Sequence, residues 1–323
     1  VAQVASKSGI ARQRRLGRLA VEHDNDREWS WLARAGPTWI VAGAIYLGWG
    51  VATWHYHALP WWLVLPIGGF LLAWHGSLQH EAVHGQLAPW RWLNDAIALP
   101  PLGLWLPFPI YRATHRAHHN FDILTEPWRD PESFYVDQGS WRRLSRPLRR
   151  LLWVHNTVLG RVLLGPALVI GQFYWAEIGA LVRGDLRNLA AWAWHLPMAT
   201  VVVVWVSVVC AIPLAVYLAL FVLPGVSLTL VRSFAEHKAA NTPLERTAIV
   251  EAGAPLALLF LNNNLHYAHH KRPDLPWHAL PAYYRAYRGE LLHENGGLLY
   301  RGYREILRRF LLRPVDRPVH PII

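Results

Sequence analysis

No Asp, Glu, Lys or Arg occurs from residue 35 to residue 80, nor from residue 188 to residue 231: two charge-free runs of 46 and 44 positions. A helix needs about 20 apolar residues to cross a bilayer, so each run fits two crossings and a tight turn. The turns are visible. His57 to Trp62 (HALPWW) sets Pro60 between Ile40–Trp54 and Leu63–Gly76, and Cys210-Ala211-Ile212-Pro213 separates Val201–Val209 from Leu214–Val231. The sequence therefore predicts an all-α integral membrane protein: four transmembrane helices in two hairpins, 37–80 and 188–231. All basic residues fall in 1–34, 81–187 and 232–323, and the positive-inside rule assigns those segments and both termini to the cytosol.

Composition excludes other classes. Only 16% of residues are charged, against about 25% in soluble domains, and 53% are apolar or aromatic, too many for a disordered chain. Nineteen tryptophans suit bilayer interfaces. The single cysteine excludes a disulfide scaffold, a zinc ribbon and a cysteine-ligated iron–sulfur cluster. Net charge is +11. Near the start, Arg12, Arg14, Arg15 and Arg18 suit anionic headgroups or a solvated tail, and the segment lacks a signal peptide's apolar stretch.

Two further apolar stretches read as surface-embedded. In Leu151–Val182, Arg161 and Glu177 leave 15 uncharged residues between them, too few to cross, and Gly160, Gly165 and Pro166 interrupt the run. An amphipathic interfacial helix with Trp153 and Trp175 at headgroup level is expected. Ala96–Tyr111 holds Pro100, Pro101, Pro107 and Pro109 and reads as a broken connector, tolerable in a membrane only where its backbone meets protein or water. The whole chain, 1–323, is read as a single domain whose cytosolic helical cap carries the histidines.

Eight of the 18 histidines form three groups: His80 and His84 (HEAVH), His115, His118 and His119 (HRAHH), and His266, His269 and His270 (HYAHH). Residues i, i+3 and i+4 of a helix share a face, so each group aims its imidazoles at one point. His237, in RSFAEH, follows the fourth span. The charge pattern, which uses no histidine, brings all four elements to one membrane face. So many imidazoles exceed one tetrahedral zinc and suit two metal ions with four to five nitrogens each. His75 is read as a buried core histidine.

The three boxes, their order and their surroundings (HEAVHGQ, RATHRAHHN with Asp130-Pro131-Glu132, NNNLHYAHH) resemble the membrane-bound fatty acid desaturase superfamily of histidine-rich diiron enzymes, particularly its bacterial members. The resemblance spans about Trp39 to His270. It implies a diiron site held by His80, His84, His115, His118, His119, His237, His266, His269 and His270, with Asn262 as a possible metal-linked residue. Glu81, Asp130, Glu132 and Glu236 are candidates to accept the outward N–H of ligating imidazoles. It also implies two iron ions, O2 as co-substrate and oxidation of an unactivated C–H bond. Fatty acyl desaturation is the favoured reaction; hydroxylation, carotenoid oxygenation and terminal-alkene-forming decarboxylation are alternatives on one scaffold. The substrate is expected to be a lipid-like acyl chain from a bacterial inner membrane, in an apolar channel between the spans.

No cytochrome b5-like HPGG and no GxGxxG is present, so electrons must come from an external one-electron donor such as ferredoxin with its reductase. The clusters Arg142, Arg143, Arg146, Arg149, Arg150 and Arg301, Arg304, Arg308, Arg309 suit docking of an acidic carrier, or equally anionic lipid or a charged substrate. No nucleic-acid partner is expected. HEAVH also fits the HExxH zinc-protease motif, but that reading leaves two boxes idle. A haem protein using His55, His57, His75 or His195 does the same, and a metal transporter would carry its ligands nearer the midplane.

Overall fold

The computed structural model describes residues 31–323. Arg12, Arg14, Arg15 and Arg18 lie outside the described residues. Helices dominate, and the one sheet among the described residues is a two-residue parallel pairing of Ile249–Val250 with Leu299–Tyr300.

The helix Trp61–Val83 is central. Pro60 caps its start with extended backbone, and Gly85, at φ +73, ends it in the left-handed conformation that favours glycine. On one side it packs against Trp31–Trp54, where Gly48 faces Leu71 and the Tyr46 hydroxyl lies 3.3 Å from His75 Nε2. On the other it packs against Leu214–Ser233. There the backbones touch because side chains are missing. A Cβ on Gly68 would lie 2.7 Å from the Leu220 carbonyl oxygen, and one on Gly225 would lie 2.5 Å from Leu72 Cβ. Small residues at such crossings are how helices associate in lipid, where apolar burial gives little drive.

Among the described residues four helices are long and apolar enough to cross a membrane: Trp61–Val83, Val158–Val182, Leu189–Val209 and Leu214–Ser233. Three coincide with expected spans. The fourth expected one, Trp31–Trp54, is a continuous helix whose glycines, Trp and Tyr dilute its hydropathy. The expected helix is present at Val158–Val182, but two points of the sequence reading are corrected: its 25 residues run without a break through Gly160, Gly165 and Pro166, and it is long enough to cross. Pro166 lacks an N–H and so leaves the Val162 carbonyl without its helical donor, and the Ser227 hydroxyl supplies a replacement at 2.7 Å. Arg161 is buried against protein, and Glu177 accepts from Asn188 Nδ2 and Trp192 Nε1, both at 2.8 Å. Neither charge is left in lipid.

The proline-rich connector is irregular, as expected, and the spans satisfy its carbonyls. Gln79 donates to Ala98 at 2.9 Å, Tyr217 to Leu102 at 2.7 Å, and His195 Nε2 to Leu104 at 2.9 Å. Shorter helices, among them Phe108–His118, Gln138–Arg143, Arg146–His155, His266–Lys271, Leu280–Glu294 and Tyr303–Phe310, lie in the segments where the cap is expected.

Candidate metal centre

His80 lies in the last turn of Trp61–Val83, and His84 caps it. His115 and His118 end the helix Phe108–His118, with His119 as its cap. His266, His269 and His270 occupy the short, fully buried face of His266–Lys271. His237 follows Leu214–Ser233 in an extended segment bridged to Thr247.

These nine converge on two points. His80, His84, His115, His119 and His269 form one group; His118, His237, His266 and His270 form the other; within each, the ligating nitrogens lie within 4.8 Å of one another. Neighbouring Nε2 atoms approach closely: His118 to His237 at 2.9 Å, His115 to His119 and His237 to His266 at 3.0 Å, and His266 to His270 and His119 to His269 at 3.2 Å. A metal–imidazole bond of about 2.1 Å places ligands at right angles ~3.0 Å apart, so the spacing fits rings arranged around an ion. The groups adjoin, with the His119 and His270 rings stacked at 4.3 Å.

Each HxxHH box is therefore divided, which corrects the expectation that a box aims at one point. At 100° per residue, i and i+4 stay within ~40° while i+3 turns ~60° the other way. His115 and His119 join the first group and His118 the second; His266 and His270 join the second and His269 the first.

Several outward nitrogens are held, which turns Nε2 inward. His115 Nδ1 donates to Glu132 Oε1 and His118 Nδ1 to Asp130 Oδ1, each at 2.8 Å. His266 Nδ1 donates to Asn263 Oδ1 at 3.0 Å, and His237 Nδ1 to the Arg246 carbonyl at 3.2 Å. Asp130 is itself fixed by the Thr125 and Glu132 amides at 2.9 and 3.0 Å.

Burial holds His84 and His237 down near 3, and His266, His269 and His270 far below their ordinary value, which keeps these rings in the neutral, ligating form. His118 is the exception: against its burial, the Glu132 and Asp130 carboxylates draw it up to about 9. Glu132 is held well below the usual carboxylate range because His118 and His115 outweigh its burial. Burial pushes Glu236 up to about 7. His84 Nε2 is buried with no hydrogen-bond partner, an orphan that a metal would satisfy. An all-imidazole set of five and four nitrogens suits iron among the transition metals, and the group of five exceeds tetrahedral zinc.

Other candidates sit differently. Asn262 turns away, donating to the Trp277 carbonyl at 2.9 Å. Its neighbour Asn263, which sequence reasoning missed, reaches the site: besides His266, its Nδ2 lies 3.3 Å from His80 Nε2. Leu261 and Asn262 have φ of +46° and +57°, so helical spacing to His266 fails there, and the three-residue offset of Asn263 was the available signal. Glu81 accepts from the Trp277 amide at 3.1 Å and lies 3.6 Å from His80 Nδ1, out of hydrogen-bond range. Glu236 sits 3.5 Å from His266 Nδ1 and 3.2 Å from Arg232 Nε. His75 stays in the core, as expected. The occupation of Glu81 and the gathering of all three boxes disfavour the HExxH protease reading, and the carbonyl contact of His195 disfavours haem ligation.

A cavity of about 460 Å³ opens beside the second group, bounded by Glu132, Glu236 and His237 at its polar end and by Trp105, Phe173 and Val226 elsewhere. The sequence model of the fatty acid desaturase family matches residues 56–303, which include all nine histidines. A search of curated proteins finds no match.

Proposed function

Because the chain belongs to the fatty acid desaturase family, an oxidoreductase family whose chemistry a histidine-held metal centre carries, we propose that it oxidises an unactivated C–H bond of a lipid-like acyl chain at a diiron centre, with desaturation as the reaction. The division of nine histidines into two adjoining groups of five and four carries this reading. Irons bound there would supply the reduction of O2 and the oxidising power for hydrogen removal. The chain's own residues orient the imidazoles and, His118 excepted, favour their neutral form, exclude water, and hold the acyl chain in the adjoining cavity. Electrons come from an external one-electron carrier, and the exposed arginines of 142–150 and 301–309 provide a basic face for it.

Parity supports a membrane arrangement of two hairpins. His84 follows one apolar helix and His237 another, and they belong to the two adjoining groups. On this reading an even number of crossings separates them, so two of Val158–Val182, Leu189–Val209 and Leu214–Ser233 cross. The tight Cys210–Pro213 turn pairs the last two. Val158–Val182 then lies in the membrane surface, consistent with its Phe173 packing on Trp105 of the connector at 5.6 Å. Trp31–Trp54 pairs with Trp61–Val83 as the first hairpin, and the cap faces the cytosol.

The test is mass spectrometry of lipids from cells expressing the chain or its His118→Ala variant. Loss of two hydrogens from acyl chains, dependent on His118, supports desaturation. A gained oxygen or a shortened terminal alkene assigns hydroxylation or decarboxylation instead, and unchanged lipids overturn the reading.

A further inference from the structure

One wall of the cavity carries a cation with no anion beside it. Arg161, 2% exposed, projects from the first turn of Val158–Val182 and lines the cavity. Its Nε donates to the His155 carbonyl at 3.2 Å and its Nη2 to Asn156 Oδ1 at 3.4 Å. The guanidinium lies 3.8 Å over the Phe134 ring. Nη1 is buried with no partner, and so is Nε2 of the adjacent His155. No carboxylate forms an ion pair with Arg161 among the described residues. Asp316, which lines the same cavity, is engaged by the Tyr135 hydroxyl at 2.8 Å. Gly165 lies against the same groups: a Cβ there would overlap Leu230 Cδ1 at 2.6 Å and touch Arg161 Cδ at 3.4 Å and His155 Nε2 at 3.6 Å.

A buried guanidinium without a counter-charge is costly, and a structure that keeps one beside a ligand-sized, largely apolar cavity is arranged for an anion that arrives with an apolar body. Beyond Arg161 the wall continues through Val169, Phe173 and Val226. We propose that Arg161 anchors the negatively charged terminus of the substrate, so that the cavity takes an acyl or alkyl chain ending in a carboxylate or phosphate in preference to a neutral ester or alcohol. This deepens the functional reading and rests on it for the acyl chain; the charge of the terminus rests on Arg161.

The test uses the purified chain in uncharged detergent, with displacement of a dansyl-labelled undecanoic acid by palmitic acid, hexadecanol or hexadecyl phosphate, at a pH where the acid is ionised. The wild-type protein should bind an anionic competitor about tenfold to a hundredfold more tightly than hexadecanol, the scale of a charge-assisted hydrogen bond. Arg161→Gln should abolish that preference while leaving hexadecanol affinity unchanged, and Arg161→Lys should keep part of it. Whichever anion binds more tightly identifies the terminus. No preference in the wild-type protein, which requires no variant to fold, or a preference that survives Arg161→Gln, overturns the proposal. Iron content of the same preparations bears on the metal centre alone, so the two readings fail separately.

Discussion

Replacing Asp130 by Asn changes almost no volume but removes one of its two acceptor oxygens. In the native site Oδ1 takes the His118 Nδ1–H at 2.8 Å and the Glu132 amide at 3.0 Å, while Oδ2 takes the Thr125 amide at 2.9 Å. Either orientation of the new amide points its NH2 at a buried donor, at a cost of about 1–3 kcal/mol. The His118 ring also loses the carboxylate that fixes its tautomer, a change that typically weakens metal binding about 10–100-fold, or ~1.4–2.7 kcal/mol. Glu81→Gln is the matched control, since Glu81 accepts only from the Trp277 amide and stands 3.6 Å from His80 Nδ1. The assay is iron retained per chain by mass spectrometry of the metal across a chelator titration, with thermal unfolding read in parallel. Asp130→Asn should release part of its iron at a chelator concentration lower by one to two orders of magnitude, while Glu81→Gln stays near wild type. Wild-type retention in Asp130→Asn, or a larger loss in Glu81→Gln, would refute the assignment of Asp130 as the residue that orients His118.

Gly225→Leu should lower the midpoint of thermal unfolding in detergent, because overpacking costs about 1–3 kcal/mol and even a Cβ there overlaps Leu72; an unchanged midpoint would show that the helices do not meet as described. Ser227→Ala should destabilise by about 1 kcal/mol by leaving the Val162 carbonyl without a donor, measured in the same way. In a Cys210→Ser background, cysteine at Gly184 should react with an impermeant thiol reagent from the same membrane side as cysteine at Lys238, and cysteine at Ala58 from the opposite side. Gly184 on the Ala58 side would mean that Val158–Val182 crosses. Stripping metal with chelator should lower the unfolding temperature and readdition of iron should restore it, since a ligand that binds only the folded state stabilises it.

Much of the centre was legible because its signal is local and repeated. Helical spacing makes HEAVH, HRAHH and HYAHH readable as ligand-presenting faces, and the charge-free runs place them on one side independently. The allocation of rings was harder to read: the 100° step that joins His115 to His119 also sends His118 to the other group, and this emerges only once the helices are placed against each other. Asn263 was obscured by the left-handed backbone at Leu261 and Asn262, which no composition reveals. Val158–Val182 looked interrupted because counting charges and prolines cannot see that Ser227, Phe134 and Trp192 from distant segments satisfy them. Arg161 read as a defect in an apolar run for the same reason.

The most direct measurement is the metal content of the purified chain expressed with iron, paired with its Mössbauer spectrum. Nine imidazoles in groups of five and four predict about two irons per chain in nitrogen-rich environments, with His118→Ala and His269→Ala each lowering that content while the protein stays folded. A single bound zinc, or full iron content in either variant, would contradict the account.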